Sequence, residues 1–321
     1  MSIQEIFQTA SEQRAPRQHM TTTAIILLLI SAFLHAGWNL LGKRYSPTAA
    51  GFLPATVAGM LCLTPIVIIY KETLRYFTGQ CWWLVLATGA CQTVYYAALA
   101  GAYKTGDMSI AYPLARSSPV IVVTVVSIFL GKADQISRQC VYGIILVVLG
   151  GFLLPMRRFN DFRVDNYLNV TCLLALLAAC GTTGYSIIDD EALRLLRHTP
   201  NATLQVWQIT LVYTFFEALT SSFWLTLLVL GRKQERHRFR NIITTRPGSA
   251  ALMGVWIYLT YSLVLISMAF VANVSYVVAF RQLSIPLGVI MSVSILKEPA
   301  YVPKFVAVAV MFIGLVLVGT G

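Results

Sequence analysis

The sequence predicts an all-α integral membrane protein of ten transmembrane helices, arranged as two inverted five-helix repeats around a central cavity. Three observations predict it. Apolar residues make up 57% of the chain and charged ones only 12%, with a mean hydropathy of +0.70; a soluble domain is about a quarter charged. That apolar excess runs along the whole chain instead of gathering in one core, so lipid is the solvent for most residues. Finally, the second half of the chain repeats features of the first.

A span needs roughly 20 mainly apolar residues. The stretches that qualify, in order, are 22–42, 49–70, 82–103, 108–131, 139–155, 167–188, 203–230, 249–271, 274–296 and 302–319. Residues 1–20 form a polar tail, and the apolar run after it continues too far, without a small-x-small cleavage site, to be a signal peptide. Residues 21–155 hold the first five spans, 156–166 a linker and 167–321 the second five; the other long connection, 231–248, is strongly basic. Strand-type alternation is absent, and an open sheet edge does not survive in hydrocarbon.

The net charge of +11 raises the question of nucleic acid. The basic residues lie between apolar runs, where membrane loops carry Lys and Arg, and no basic-aromatic patch or zinc-ligand spacing accompanies them. Cysteines at 62, 81, 91, 140, 172 and 180 sit in or beside apolar stretches, form no CxxC pair and read as small packing residues. No cofactor and no metal is expected. The expected partners are a small-molecule substrate and the lipid bilayer, not nucleic acid; the oligomeric state is open, a monomer included.

The repeat is visible when residues 105–154 are laid on 271–318. A slide of about 166 positions superposes Met108-Ser109 on Val274-Ser275 and brings Arg116 to Arg281 and Pro119 to Pro286 within one residue. A unit with an odd number of crossings inserts upside down relative to its copy, and inverted repeats place their site near mid-membrane between the halves.

HAGWN at 35–39 with Lys43, GDMSIAYPLAR at 106–116, YSIIDDEALR at 185–194, SYVVAFRQLS at 275–284 and LKE at 296–298 resemble the EamA-like branch of the drug/metabolite transporter superfamily, from about residue 22 to the C-terminus. The resemblance implies a central cavity lined mainly by helices 1, 3, 4, 6, 8 and 9, alternating access, and export or exchange of small metabolites such as amino acids. It also implies a multi-pass protein of the bacterial inner (plasma) membrane. The family's pattern often ends helix 4 with Gly-Glu, whereas this chain has Gly131-Lys132 there and keeps Glu298 after helix 9.

Arg116 and Arg281 lie inside apolar spans at matching repeat positions. An unpaired arginine in hydrocarbon costs at least roughly 3 kcal/mol, so each must face a cavity, a counter-ion or backbone carbonyls. A guanidinium fork suits carboxylate or phosphate; the competing reading is a structural ion pair or clamp. Tyr112 stands one turn before Arg116, on its face. Helix 1 sets His35, Trp38, Asn39 and Gly42 on one stripe, beside a polar space, with Lys43 at the membrane surface. Gln92, Tyr95 and Tyr96 share a face of helix 3, and Tyr258, Tyr261 and Ser262 a face of helix 8. Such rings suit either a solute cavity or packing. Gln282 and Ser284 follow Arg281 and are counted with the substrate site.

Among acids, Asp189 stands one turn after Tyr185, and Glu217 shares a stripe with Thr210, Tyr213 and Thr214. Each is a candidate for proton coupling or for neutralising an arginine. Pro113, Pro119 and Pro286 are expected to kink helices 4 and 9. Fourteen Lys and Arg fall on the face of the odd-numbered loops and eight on the other. By the positive-inside rule both termini then lie outside, while the resemblance implies both in the cytoplasm, and the sequence does not choose.

The expected function is secondary transport of a small anionic or zwitterionic metabolite; no GxxxxGK[ST] motif points to ATP as the drive. Export of lipophilic cations is the alternative. A membrane-embedded enzyme is a remote one, since HExxH and GxSxG are absent.

Overall fold

The computed structural model describes residues 22–45, 47–129, 137–161, 163–197, 205–268 and 280–320. The sequence features at 1–20, Gly131-Lys132 and 274–279 lie outside the described residues. Among the described residues every regular element is helical. The α-helices are α1 (Thr22–Tyr45), α2 (Ala49–Ile69), α3 (Gly79–Thr105), α4 (Met108–Phe129), α5 (Arg138–Leu153), α6 (Val170–Arg197), α7 (Val206–Gly231), α8 (Lys233–Thr245), α9 (Pro247–Met268), α10 (Ser284–Ile295) and α11 (Val302–Thr320). Short 3₁₀ turns cover Lys71–Tyr76 and Val164–Asn166.

Seven of these, α1, α2, α3, α6, α7, α9 and α11, are long and apolar enough to cross a membrane. The outer surface fits that medium. Leu61, Ile68, Ile69 and Trp83 are all more than 60% exposed, and side chains of this kind spread over several helices are what lipid tails cover. The interior is built from smaller residues: Ala24, Ala36, Ala50, Ala55, Ala178 and Ala179 are fully buried, with Thr56, Thr88 and Ser221 among them. Small residues let helix backbones approach, the source of van der Waals gain where lipid removes the hydrophobic drive. Gly143 of α5 and Gly314 of α11 show it most directly: a Cβ on either would press to 2.6 Å from the other's carbonyl oxygen.

Helix pairings come in twins. Counting α1–α5 against α6, α7, α9, α10 and α11, the α3–α6 contact has its counterpart in α1–α9. In the same way α4–α6 answers to α1–α10, and α3–α7 to α2–α9. The pairs α2–α7, α4–α10 and α5–α11 join helices of equal rank.

Two elements depart from the sequence expectation. The basic connection at 231–248 contains helix α8, because Glu235, Phe239 and Ile242 recur at helical spacing on its inner side while Lys233, Arg236 and Arg240 face out. A search for apolar length misses a helix of that composition. Helix α6 runs nine residues past its expected end at 188, to Arg197. Ala192, Leu193 and Leu196 keep its inner face buried, and Arg194 meets Glu191 at 2.6 Å on the outer one.

The prolines are absorbed differently in the two helices. In α4 both Pro113 and Pro119 lie inside a continuous helix, and the Ser117 hydroxyl donates to the Pro113 carbonyl at 2.7 Å. In the second half the chain turns at Gln282 and Leu283 before α10 begins. Pro286 then falls in the first turn, where a missing N–H has no intrahelical acceptor to lose.

Candidate functional site

Helices α1, α3, α4, α6, α7 and α9, with Arg281 just ahead of α10, enclose a central cavity of about 150 Å³. That is on the order of the engineered cavity that takes up benzene. Its walls are aromatic. His35 and Trp38 of α1 lie with ring centroids 5.2 Å apart, and His35 Nδ1 shares a 3.0 Å hydrogen bond with the Tyr112 hydroxyl of α4. Tyr95 packs on Tyr96 at 5.1 Å and edge-on to Tyr185 of α6 at 5.9 Å. Tyr258 and Tyr261 of α9 complete the wall.

Arg116 and Arg281 both line this cavity. Among the described residues neither forms an ion pair with a carboxylate. Nε of Arg116 is buried without a hydrogen-bond partner, as is Oγ1 of Thr260 in the same wall. A buried donor left unmade costs free energy, so these atoms suit a ligand that supplies acceptors.

Two carboxylates line the cavity as well. Asp189 accepts the hydroxyls of Thr88 at 2.5 Å and Tyr213 at 2.6 Å. Glu217 accepts the side-chain amide of Gln92, whose Oε1 takes the Ser221 hydroxyl at 2.5 Å. The cavity therefore brings two guanidinium groups and two carboxyl groups to the wall of one small space.

Three expected site residues are placed elsewhere. Asn39 is fully buried one turn beyond His35; its amide donates to the His35 carbonyl at 2.8 Å and its Oδ1 accepts the Tyr103 hydroxyl at 2.7 Å. Ser284 donates to the Arg281 carbonyl at 2.9 Å, bracing the turn into α10. Gln282 lies in that turn, outside the cavity wall, with Oε1 buried and unpartnered among the described residues. Conversely Gln92, Thr182, Thr214 and Thr260 line the cavity without having been assigned to it. Gln92 and Thr214 carried a signal, sharing helix faces with Tyr95 and Glu217; the single threonines Thr182 and Thr260 carried little.

Beyond Tyr112 the start of α4 is tied across the molecule. Glu298 accepts the backbone N–H of Met108 at 2.7 Å and of Ser109 at 2.8 Å, closing two of the open donors of that helix end. Lys304, 1% exposed, donates to the Ser109 hydroxyl and to the Pro299 carbonyl, each at 2.7 Å. Lys43 lies in the last turn of α1, at one end of the bundle. Its ammonium donates to the Tyr103 and Gly106 carbonyls at 2.5 and 2.6 Å, capping α3 where the helix dipole favours a cation. Among the described residues no cluster of three His, Cys, Asp or Glu suits a metal ion.

Residues 22–156 match the model of the EamA-like transporter family. No curated protein matches the chain.

Proposed function

We propose, from the match of residues 22–156 to the model of the EamA-like transporter family, part of the drug/metabolite transporter superfamily, that the protein is a secondary transporter of a small zwitterionic or anionic metabolite, an amino acid or organic acid. The family consists of transporters, not enzymes, and the apolar helices mark a multi-pass membrane protein.

One observation carries the cargo class: Arg116, Arg281, Asp189 and Glu217 line a single cavity of about 150 Å³. A carboxylate ligand gives Nε of Arg116 the acceptor it lacks and both guanidinium groups a counter-ion, and an ammonium on the same ligand answers the two acids. The volume admits a molecule of a few to about ten heavy atoms, not a bulky drug.

The mechanism we infer is alternating access between two inverted five-helix halves. It is supported by the twinned helix pairings and by the sequence repeat, and by the tie of Glu298 and Lys304 to the start of α4, which has to part if that end of the cavity is to open. Arg116 and Tyr112 lie on α4 itself, so movement of the helix moves the ligand's contacts.

The test is uptake. Purified protein in liposomes is expected to move labelled amino or organic acids, and Arg116→Ala or Arg281→Ala to abolish it. Uptake unchanged in both variants removes the arginines from the site and this reading with them. A second reading, export of lipophilic cations, draws on the tyrosine-rich wall around Asp189 and Glu217. It requires two guanidinium groups to tolerate a cation beside them. Drug-resistance assays with Glu217→Gln and Asp189→Asn separate the two.

A further inference from the structure

Helix α8 lies outside the transport site, and its placement is unusual. Only Arg232 separates it from the end of α7, and only Arg246 from the start of α9. Near its first turn Glu235, 8% exposed, accepts the backbone N–H of Ala50 in the first turn of α2 at 3.0 Å. Near its far end Ile242 is buried in the same apolar cluster as Val229 of α7, Ala250 of α9 and Phe52 of α2. Both ends of α8 thus rest on the ends of spanning helices. Its 13 residues, about 20 Å of helix, run along the membrane face instead of out from it.

The side of α8 turned away from the bundle is cationic. Arg232, Lys233, Arg236, His237 and Arg240 are exposed, as is Arg246 beyond its end. The acid on this helix, Glu235, points inward and is held by Ala50 and Arg238. Ile243 is 42% exposed on the stripe of Arg236 and Arg240. Beside it, the guanidinium groups of Arg44 and Arg246 sit 5.3 and 5.5 Å from the ring centroid of Tyr45, at the end of α1. Aromatic rings at helix ends and arginines beside them are the anchors of the headgroup layer.

We propose that the outer face of α8 is a docking strip for anionic phospholipid headgroups. The depth selects this occupant: a row of cations level with the ends of α2, α7 and α9 meets the phosphates of the surrounding bilayer first. An exposed isoleucine among the arginines fits the boundary between headgroup and acyl chain better than water. Guanidinium forks suit phosphate oxygens.

The experiment uses the full chain in neutral detergent and reads its melting temperature with added phosphatidylglycerol, phosphatidylcholine, inorganic phosphate or a single-stranded oligonucleotide. Phosphatidylglycerol is expected to raise it by mass action, phosphatidylcholine and inorganic phosphate far less, and 1 M salt to abolish the difference, since the Debye length falls to about 3 Å. In the fourfold variant Arg232→Gln, Lys233→Gln, Arg236→Gln, Arg240→Gln the shift should drop to about a third or less. If that variant does not fold, Arg236→Gln with Arg240→Gln, which removes only exposed groups, is expected to lower the shift and the number of phosphatidylglycerol molecules retained in native mass spectrometry. A full shift in the variants, an equal response to phosphatidylcholine, an equal response to free phosphate, or a larger one to the oligonucleotide overturns the proposal. None of these readouts depends on transport.

Discussion

The carboxylate of Glu298 accepts the backbone N–H of Ser109 at 2.8 Å, a bond across 189 residues of sequence. With its other oxygen on Met108, Glu298 is the N-terminal cap of a helix that lies far from it in the chain. The backbone prepares this reach: Lys297 adopts φ 59°, a left-handed turn that ends α10 and redirects the chain. A carboxylate here meets both the open amides and the positive end of the helix dipole.

Glu298→Ala leaves both amides on fully buried residues without an acceptor, a loss of about 2 kcal/mol. For a chain of this size that lowers the melting temperature in detergent by several degrees, and Glu298→Gln, which keeps one acceptor, should recover about half. A melting temperature unchanged in Glu298→Ala shows that the cap is dispensable. The same variant should make a cysteine at Ala115 more reactive toward a thiol reagent applied from that end of the cavity.

The two arginines make opposite demands on stability and binding. Arg116 and Arg281 share a cavity and repel one another, and no described carboxylate pairs with either. Replacing one of them by glutamine relieves a membrane-embedded charge, so Arg281→Gln without ligand is expected to melt no lower than the parent, and up to a few degrees higher. The same variant should lose the stabilisation that added ligand confers. A helix clamp predicts the reverse: a large drop without ligand, as when one member of a buried pair is removed.

What could be read from the residues depended on how each signal arises. A charge inside an apolar run is conspicuous, so Arg116, Arg281 and Glu217 stand out and all reach the cavity wall. A helical stripe fixes a face but not a depth. His35 and Asn39 share a face, yet the wall includes the first while the second, one turn further along, is taken up by Tyr103. Thr182 and Thr260 gave almost nothing, because a lone hydroxyl in an apolar helix is as ordinary in packing as in a site. Helix α8 escaped for a different reason: its inner face is set by three positions among charges, so apolar length, the signal that finds spans, is blind to it.

Close packing between α5 and α11 supplies a test of the architecture that leaves the cavity untouched. Gly143 and Gly314 meet backbone to backbone. A side chain at Gly143 runs into the Gly314 carbonyl oxygen and the Val318 amide nitrogen, both backbone, as well as a methyl of the stiff, branched Val318. Gly143→Val should cost about 1–3 kcal/mol by overpacking, with ligand affinity unchanged in whatever fraction remains folded. A neutral result would mean that the two helices do not approach this closely.

Glu217 distinguishes a zwitterionic cargo from a purely anionic one. It accepts the amide of Gln92, and the carbonyl oxygen of a glutamine at 217 can accept the same N–H, so folding is expected to survive Glu217→Gln. If an ammonium group docks against Glu217 and Asp189 while a carboxylate meets the arginines, removing one acid weakens zwitterion binding by roughly 10- to 100-fold, the loss of one charge-assisted hydrogen bond of about 1.5–3 kcal/mol. A dicarboxylate, repelled by the same acid in the parent, should bind the variant at least as well. Thermal shifts measured with an amino acid and with a dicarboxylate on both proteins give four numbers. Parallel weakening of both ligands would mean that Glu217 supports the fold of the wall and does not read the charge of the cargo.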